Sequence, residues 1–422
     1  MASPEEKEVQ LPSADEPVVS VVVLLTRQPE FAERCLRAIA RAHDSAIATE
    51  VVLVMNACDD ETRALVEERT AGARLVRSPV NTGTAAGWNL GFAAARGRWV
   101  ALLHEDSEPE PRWLAPLLET AERMPRAAVI GSRLMWSDPE RDGQLWNRGN
   151  VMWSDAMPGD LTDEAVDADG PYVCDYCSSA AALIERDAWR AVGGFDERYF
   201  PAMRAELDLC VALWRAARIV VCDPRSGVRH RGEAMVRARD GALTSHEFRA
   251  FLAERSRVRM IEKWGDGMAL YEERWDGPWL PVQPTEELRR ARARTEERAA
   301  SQLEPLDAEP RAWRGLTAPD GGWPEAVDAA MERRFVEAQM AVQREFCDEL
   351  LSAVHARDAR VREVEAELAA LRAEAATLAA KAHTHDLILA GRWWRLRRRV
   401  DPAVRLARWA GRRARLAKGR QA

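Results

Sequence analysis

The stretch Ala101-Leu-Leu-His-Glu-Asp-Ser-Glu-Pro-Glu-Pro-Arg-Trp-Leu114 is an apolar run that ends abruptly in acids and then turns, through prolines, into a helical pattern. A short apolar run bounded in this way reads as a buried strand whose carboxylates emerge at its carboxyl end. In open α/β sheets that end faces the ligand crevice. Glu105 and Asp106 therefore suit a hard divalent cation that also holds a diphosphate, because Mg²⁺ takes one or two protein carboxylates and completes its shell with phosphate and water oxygens. Taken alone, a solvated acidic turn explains the same residues.

On both sides of this stretch, from about residue 18 to 265, short β-branched runs alternate with helical patterns, the signature of βαβ units around a mostly parallel sheet. The strands are expected at 18–25, 50–55, 73–77, 98–103 and 128–130, and the helices at 32–42, 60–69, 85–95 and 112–123. Residues 1–17 are expected to be disordered. Residues 132–176, rich in Asp, Gly and Trp, read as a long loop or short hairpins over the site, and their Trp136, Trp146 and Trp153 would either stack on sugar rings or anchor the core. Residues 266–326 gather prolines around a short charged helix and read as a linker with little core of its own. In 327–386 the positions Leu350, Val354, Arg357, Val361, Val364, Leu368, Leu371, Ala375, Leu378 and Ala382 alternate spacings of three and four, the seam of a coiled coil and hence of a homodimer. A lone amphipathic helix lying on the core is the alternative.

Composition bounds the function. At 422 residues, 47% hydrophobic and 31% charged, the chain is globular rather than disordered. The longest apolar run near the start, 18–25, is interrupted by Ser20 and is far short of the roughly 18 to 20 residues that a membrane span needs. Residues 1–10 hold four charged side chains and no apolar core, so no secretory signal and a cytoplasmic location are expected. The net charge of −7 conceals a basic tail: residues 391–422 hold eleven Arg and one Lys against Asp401 alone. The acidic remainder argues against nucleic acid. The tail, 387–422, with Trp393, Trp394 and Trp409 among its arginines, reads as an amphipathic segment for an anionic membrane surface. Seven cysteines without an export signal argue against a disulfide framework, and Cys174-Asp-Tyr-Cys177 lacks the second pair that structural zinc requires.

Further motifs follow in order: Asn81-Thr-Gly-Thr-Ala-Ala-Gly-Trp-Asn-Leu-Gly91, Ala191-Val-Gly-Gly-Phe-Asp-Glu-Arg-Tyr-Phe200, Ala205-Glu-Leu-Asp-Leu-Cys-Val-Ala-Leu-Trp214 and Val228-Arg-His-Arg-Gly-Glu-Ala234. With the acidic strand end, this combination resembles the family-two inverting glycosyltransferases of GT-A fold, which build bacterial polysaccharides and glycolipids. The resemblance spans about 18–265. It implies an α/β, Rossmann-like, mostly parallel sheet with flanking helices, here followed by the helical coiled-coil extension. It also implies a nucleotide-diphosphate sugar donor, a glycan or lipid-linked acceptor, and Mg²⁺ or Mn²⁺ as cofactor.

Carried over by position, the resemblance makes Asp106 and His230 metal ligands and Glu105 a nucleotide-facing residue. Glu206 stands where the general base stands, with Asp208 the following acid. Thr26, Asn56, Gly83, Gly87 and Asn89 fall on donor-side positions, and Trp146, Ser178 and Ser179 on the acceptor side. The pattern is altered in places: Ala205 replaces an acid, the base is Glu rather than Asp, Met55 replaces an acid before Asn56, Ser107 takes a place often acidic or Thr, and the first strand ends in Leu24-Leu25-Thr26-Arg27. These changes motivate the rival readings, a catalytically silent glycosyltransferase-like module or a coiled-coil scaffold.

Overall fold

A computed structural model describes residues 8–166, 169–232, 246–275, 283–306 and 327–383, together with 401, 402, 405, 406 and 409. In chain order the elements are β1 (Val9–Gln10), β2 (Val19–Leu25), α1 (Pro29–Ala42), β3 (Thr49–Asn56), α2 (Asp60–Arg69), β4 (Thr70–Ala71), β5 (Ala73–Ser78), α3 (Gly83–Ala94), β6 (Trp99–His104), β7 (Ser107–Pro109), α4 (Leu114–Arg123) and β8 (Ala127–Trp136). They continue with β9 (Leu145–Asn147), β10 (Asn150–Met152), β11 (Pro158–Asp160), β12 (Tyr172–Val173), β13 (Ala181–Glu185), α5 (Arg186–Ala191), α6 (Ala205–Arg215), β14 (Ile219–His230), α7 (His246–Trp264), α8 (Thr285–Ser301) and α9 (Ala329–His383).

The main sheet runs β12-β14-β8-β13-β6-β2-β3-β5. Its β6, β2, β3 and β5 are parallel, β13 lies antiparallel between β6 and β8, and β14 returns parallel to β8. Every residue of β2 and β3 is buried, which is why these strands read as unbroken apolar runs instead of alternating ones. The expected α/β sheet with flanking helices is present. Its strands β7, β13 and β14 are not among the expected ones, and the 132–176 segment forms the end of β8 and the short strands β9 to β12.

Two expectations about the flanks fail. Residues 8–17 are ordered: β1 pairs with β4, Val9 and Leu11 are buried, and the Ala14 N–H donates to the Thr49 carbonyl. The linker contributes to the core through α8, whose Leu288, Ala291, Thr295 and Arg298 are buried. The Arg298 guanidinium lies between the rings of Trp214 and Tyr271, at 4.3 and 4.5 Å from their centroids, and pairs with Asp175. Asp175 in turn accepts from Thr295 Oγ1 at 2.6 Å and from the Met152 N–H at 2.7 Å. Proline spacing conceals this anchor because a buried charge is stabilised only by the partners that the fold brings to it.

The chain divides into units at 1–346 and 347–422. In the first, Met331, Phe335 and Val342 of α9 join Phe200, Phe248, Phe251 and Leu252 in a second, smaller core. In the other, Leu350, Val354, Val361, Val364 and Leu371 are exposed. No helix among the described residues is long and apolar enough to cross a membrane. Most of the basic tail, Trp393 and Trp394 included, lies outside the described residues.

Candidate active site

The acidic strand end becomes a site because β7 folds back antiparallel to the end of β14, placing Ser107 opposite His230. Asp106 Oδ1 then lies 3.0 Å from His230 Nε2, and Asp106 Oδ2 accepts the Gly232 N–H at 3.1 Å. His104, two residues before Asp106, comes to the same side: its Nδ1 is 3.3 Å from His230 Nε2. One ligand atom from each of His104, Asp106 and His230 lies within 4.8 Å of the other two. Asp106 and His230 are buried, and His230 Nδ1 has no hydrogen-bond partner among the described residues. Burial and the neighbouring His230 push the His104 imidazole down to about 4, so it is neutral at pH 7 with a lone pair to give. A set of two imidazoles and one carboxylate, with Asp106 and His230 buried and His104 half-buried, fits a divalent cation. Its nitrogens favour a transition metal over Mg²⁺, whose preferred donors are oxygens.

Aromatic rings hold this set in place. Trp146 stacks on His230 at 4.7 Å, Trp136 stacks on Trp146 at 4.3 Å, and the Arg141 guanidinium covers Trp136 at 3.6 Å. Ser179 Oγ sits 3.0 Å from His104 Nε2, while Ser178 Oγ accepts the Ala180 N–H. Trp146 and Ser179, expected on the acceptor side, thus orient the two imidazoles. Trp153 is fully buried and is a core anchor.

Glu105 points the other way, as the alternation of side chains along a strand requires. Its carboxylate accepts from the Thr26 N–H at 2.8 Å and from the Thr26 hydroxyl. Burial pushes its carboxyl up to about 8, against the pull of these two donors.

The other donor-side residues are tied into the fold. Asn56 Oδ1 accepts from the Thr82 N–H and hydroxyl at 2.8 and 2.9 Å, fixing the turn before α3. Asn89 is fully buried, with its amide bonded to both the N–H and the carbonyl of Phe195 and to Glu197, so it does not reach a donor phosphate or sugar. Gly87 permits a close approach, but to the sheet: a Cβ there would sit 2.5 Å from Leu24 Cδ1. Gly83 has φ +73°, and an added Cβ would lie 2.8 Å from the Pro201 carbonyl oxygen. Gly83→Ala is expected to cost at least about 2 kcal/mol, from left-handed strain plus overpacking. Thermal denaturation checks this, with a melting temperature lower by about 3 °C or more; an unchanged value would show that the turn relaxes.

At the start of α6 the two acids differ. Asp208 is fully buried, accepting from Tyr199 Oη at 3.2 Å and Trp264 Nε1 at 2.9 Å and pairing with Lys263 Nζ at 2.6 Å. It holds α7 against α6 and is closed to a substrate proton. Glu206 is half-buried, and burial holds its carboxyl above the ordinary range while Arg204 and its own N–H pull it down. The preceding Met203 and Arg204 both adopt left-handed backbone, φ 81° and 66°, a strain of about 1 to 3 kcal/mol each at non-glycine residues. Such strain persists where a fold must aim a side chain.

Residues 20–188 match the family model of glycosyl transferase family 2. An N-acetylglucosaminyl-diphospho-decaprenol L-rhamnosyltransferase of Mycobacterium tuberculosis is 28% identical over 270 residues, 56% of this chain and 84% of the relative. The O-antigen biosynthesis protein RfbC of Myxococcus xanthus is 27% identical over 259 residues, 56% of this chain and 19% of that one. Among solved structures, GalNAc-T7 with UDP, GalNAc and Mn²⁺ aligns with a TM-score of 0.47 at 15% identity, covering 67% of this chain and 55% of that one.

Within this site, the residue that sequence reasoning passed over is His104. A signal was present: residues two apart at a strand end share a side, so His104 and Asp106 belong together. The acids beside it drew the reading instead. The strained Met203–Arg204 turn carries no sequence signal, since neither residue is glycine.

Proposed function

We propose that this protein is a metal-assisted inverting glycosyltransferase of family 2, transferring a hexosyl or deoxyhexosyl group from a nucleotide-diphosphate sugar to a hydroxyl of a glycan or lipid-linked acceptor. The observation that carries the reading is the convergence of His104, Asp106 and His230 at the strand end. His104, Asp106 and His230 would hold the cation, with Trp146 and Ser179 fixing the two rings. When bound, the cation would neutralise charge developing on the departing diphosphate. Glu206 accepts the proton of the acceptor hydroxyl as that oxygen forms its bond to the anomeric carbon and the bond to the diphosphate breaks. The raised carboxyl of Glu206 suits that task, since a more basic carboxylate takes the proton more readily. The names of the mycobacterial and myxobacterial relatives support a place in polysaccharide or glycolipid assembly.

The test is a thermal-shift screen of nucleotide sugars with and without Mn²⁺, because a ligand that binds the folded state raises its melting temperature by mass action. Stabilisation that requires both components supports the reading. Stabilisation by neither, across uridine, guanosine and thymidine donors, contradicts it.

The exposed apolar positions of α9 support self-association of the second unit through a coiled coil. Because Met331, Phe335 and Val342 belong to the first unit's core, the informative truncation ends at Phe346. Light scattering is expected to give a dimer for the full chain and a monomer for the truncated one; a monomeric full chain at micromolar concentration would refute the coiled coil.

A further inference from the structure

A polar row beside Glu206 is used by none of the contacts of the metal set. Asn150 lies directly opposite Asp160 in the antiparallel β10–β11 ladder, and on its other side it faces Tyr176 through an isolated antiparallel bridge. Residues directly opposite one another in antiparallel pairing project to the same face. Carboxylate, amide and phenol therefore stand in line across that face.

The row is built rather than incidental. Asn150 Nδ2 donates to Asp160 Oδ1 at 2.6 Å, which fixes both side chains. Asn150 is 2% exposed, yet its Oδ1 has no hydrogen-bond partner among the described residues. A buried amide oxygen left in that state costs stability and calls for a donor from outside. Arg204, two residues before Glu206, donates to the carbonyl of Ala156 in the turn between β10 and β11, which brings the row beside the start of α6 and the base, and the charges of both Asp160 and Glu206 act on the Tyr176 phenol. The Arg204 guanidinium also donates to the Ala253 carbonyl, so its hydrogen bonds to oxygen go to backbone rather than to the row. Asp160 and Glu206 each keep part of their surface open to solvent. Burial pushes the Asp160 carboxyl up to about 6.

We propose that Asp160, Asn150 and Tyr176 form the acceptor subsite, binding neighbouring hydroxyls of a sugar ring and presenting one more hydroxyl to Glu206. The unsatisfied acceptor on Asn150 and the carboxylate of Asp160 take the O–H donors of a vicinal diol, and the phenol can donate to a third oxygen. The chemistry selects a polyhydroxylated ring over a simple alcohol or a serine hydroxyl, because each missing hydroxyl leaves a buried polar group unpaired. The proposal rests on Glu206 being the base of a glycosyltransferase, and it moves the acceptor side from Trp146, Ser178 and Ser179 to β10, β11 and Tyr176.

The test uses the full chain, the donor found by the thermal-shift screen, and a panel of methyl glycosides as probes. Two rates are followed: transfer to the glycoside, and slow hydrolysis of the same donor with water as acceptor. Asp160→Asn and Tyr176→Phe are expected to raise the KM for the glycoside at least tenfold while donor hydrolysis and the donor-dependent rise in melting temperature stay at wild-type values. Those two readouts also show that each variant is folded. Glycosides lacking one of the two adjacent hydroxyls should lose to the same extent with the wild-type protein and should no longer distinguish it from Asp160→Asn. Unchanged glycoside KM in both variants would overturn the subsite, as would a wild-type protein that hydrolyses donor but accepts no glycoside of the panel. Failure of the underlying reading looks different: wild type would then neither bind nor hydrolyse any nucleotide sugar.

Discussion

Asp106→Ala is expected to abolish cation-dependent donor binding, lowering affinity by more than about 10²-fold, because loss of a ligand should exceed the 10- to 100-fold cost of losing only a group that supports one. The carboxylate is the single anionic member of the set, and the two imidazoles that remain face one another at 3.3 Å with no charge to balance the cation. His104→Ala and His230→Ala each leave one imidazole beside the carboxylate and should weaken binding less. Calorimetric titration of Mn²⁺ and donor into each variant checks the order. Wild-type donor affinity in Asp106→Ala with Mn²⁺ present would show that the diphosphate is held elsewhere.

Glu206→Gln is the complementary change: donor binding survives while turnover falls by about 10²-fold or more, since the amide keeps the shape and cannot take the proton. The pH profile gives the sign. Burial raises the Glu206 carboxyl, so the reactive carboxylate is lost as pH falls, and lost earlier than for an exposed glutamate. The acid limb of wild-type turnover should therefore lie above the ordinary carboxylate range and disappear from the residual activity of Glu206→Gln. Asp208→Asn serves as the control. Its effect should appear in stability, through Lys263 and Trp264, and in donor binding hardly at all. An inactive Asp208→Asn that is fully folded, beside an unimpaired Glu206→Gln, would transfer the role of base.

The sheet was legible where burial on both faces leaves a continuous apolar run, as in β2 and β3, and where a helix announces its period, as in α1. The alanine-rich β13 has neither signature, and its antiparallel place between β6 and β8 follows from tertiary pairing. In the site, the order of motifs picked out Asp106 and His230, which the β7–β14 register brings into contact. Asn89 and Gly87 misled because a small or amide residue at a turn signals a close neighbour without saying which: here Phe195 and Leu24, both from the protein itself. Trp146 misled for a related reason, since a half-exposed indole suits a sugar ring and an imidazole equally well, and the ring it meets is His230. The Asp160, Asn150 and Tyr176 row was invisible because its members are brought side by side only by strand pairing.

The central claim, that the His104, Asp106 and His230 set and Glu206 together perform an inverting transfer, is tested most directly by the stereochemistry of the first product. Proton NMR during early turnover reads the anomeric configuration of the transferred or hydrolysed sugar before it equilibrates. The account predicts a configuration opposite to that of the donor, formed by the wild-type chain with Mn²⁺ and lost in both Asp106→Ala and Glu206→Gln. A product that retains the donor configuration, or an inverted one that forms at the wild-type rate in either variant, would contradict it.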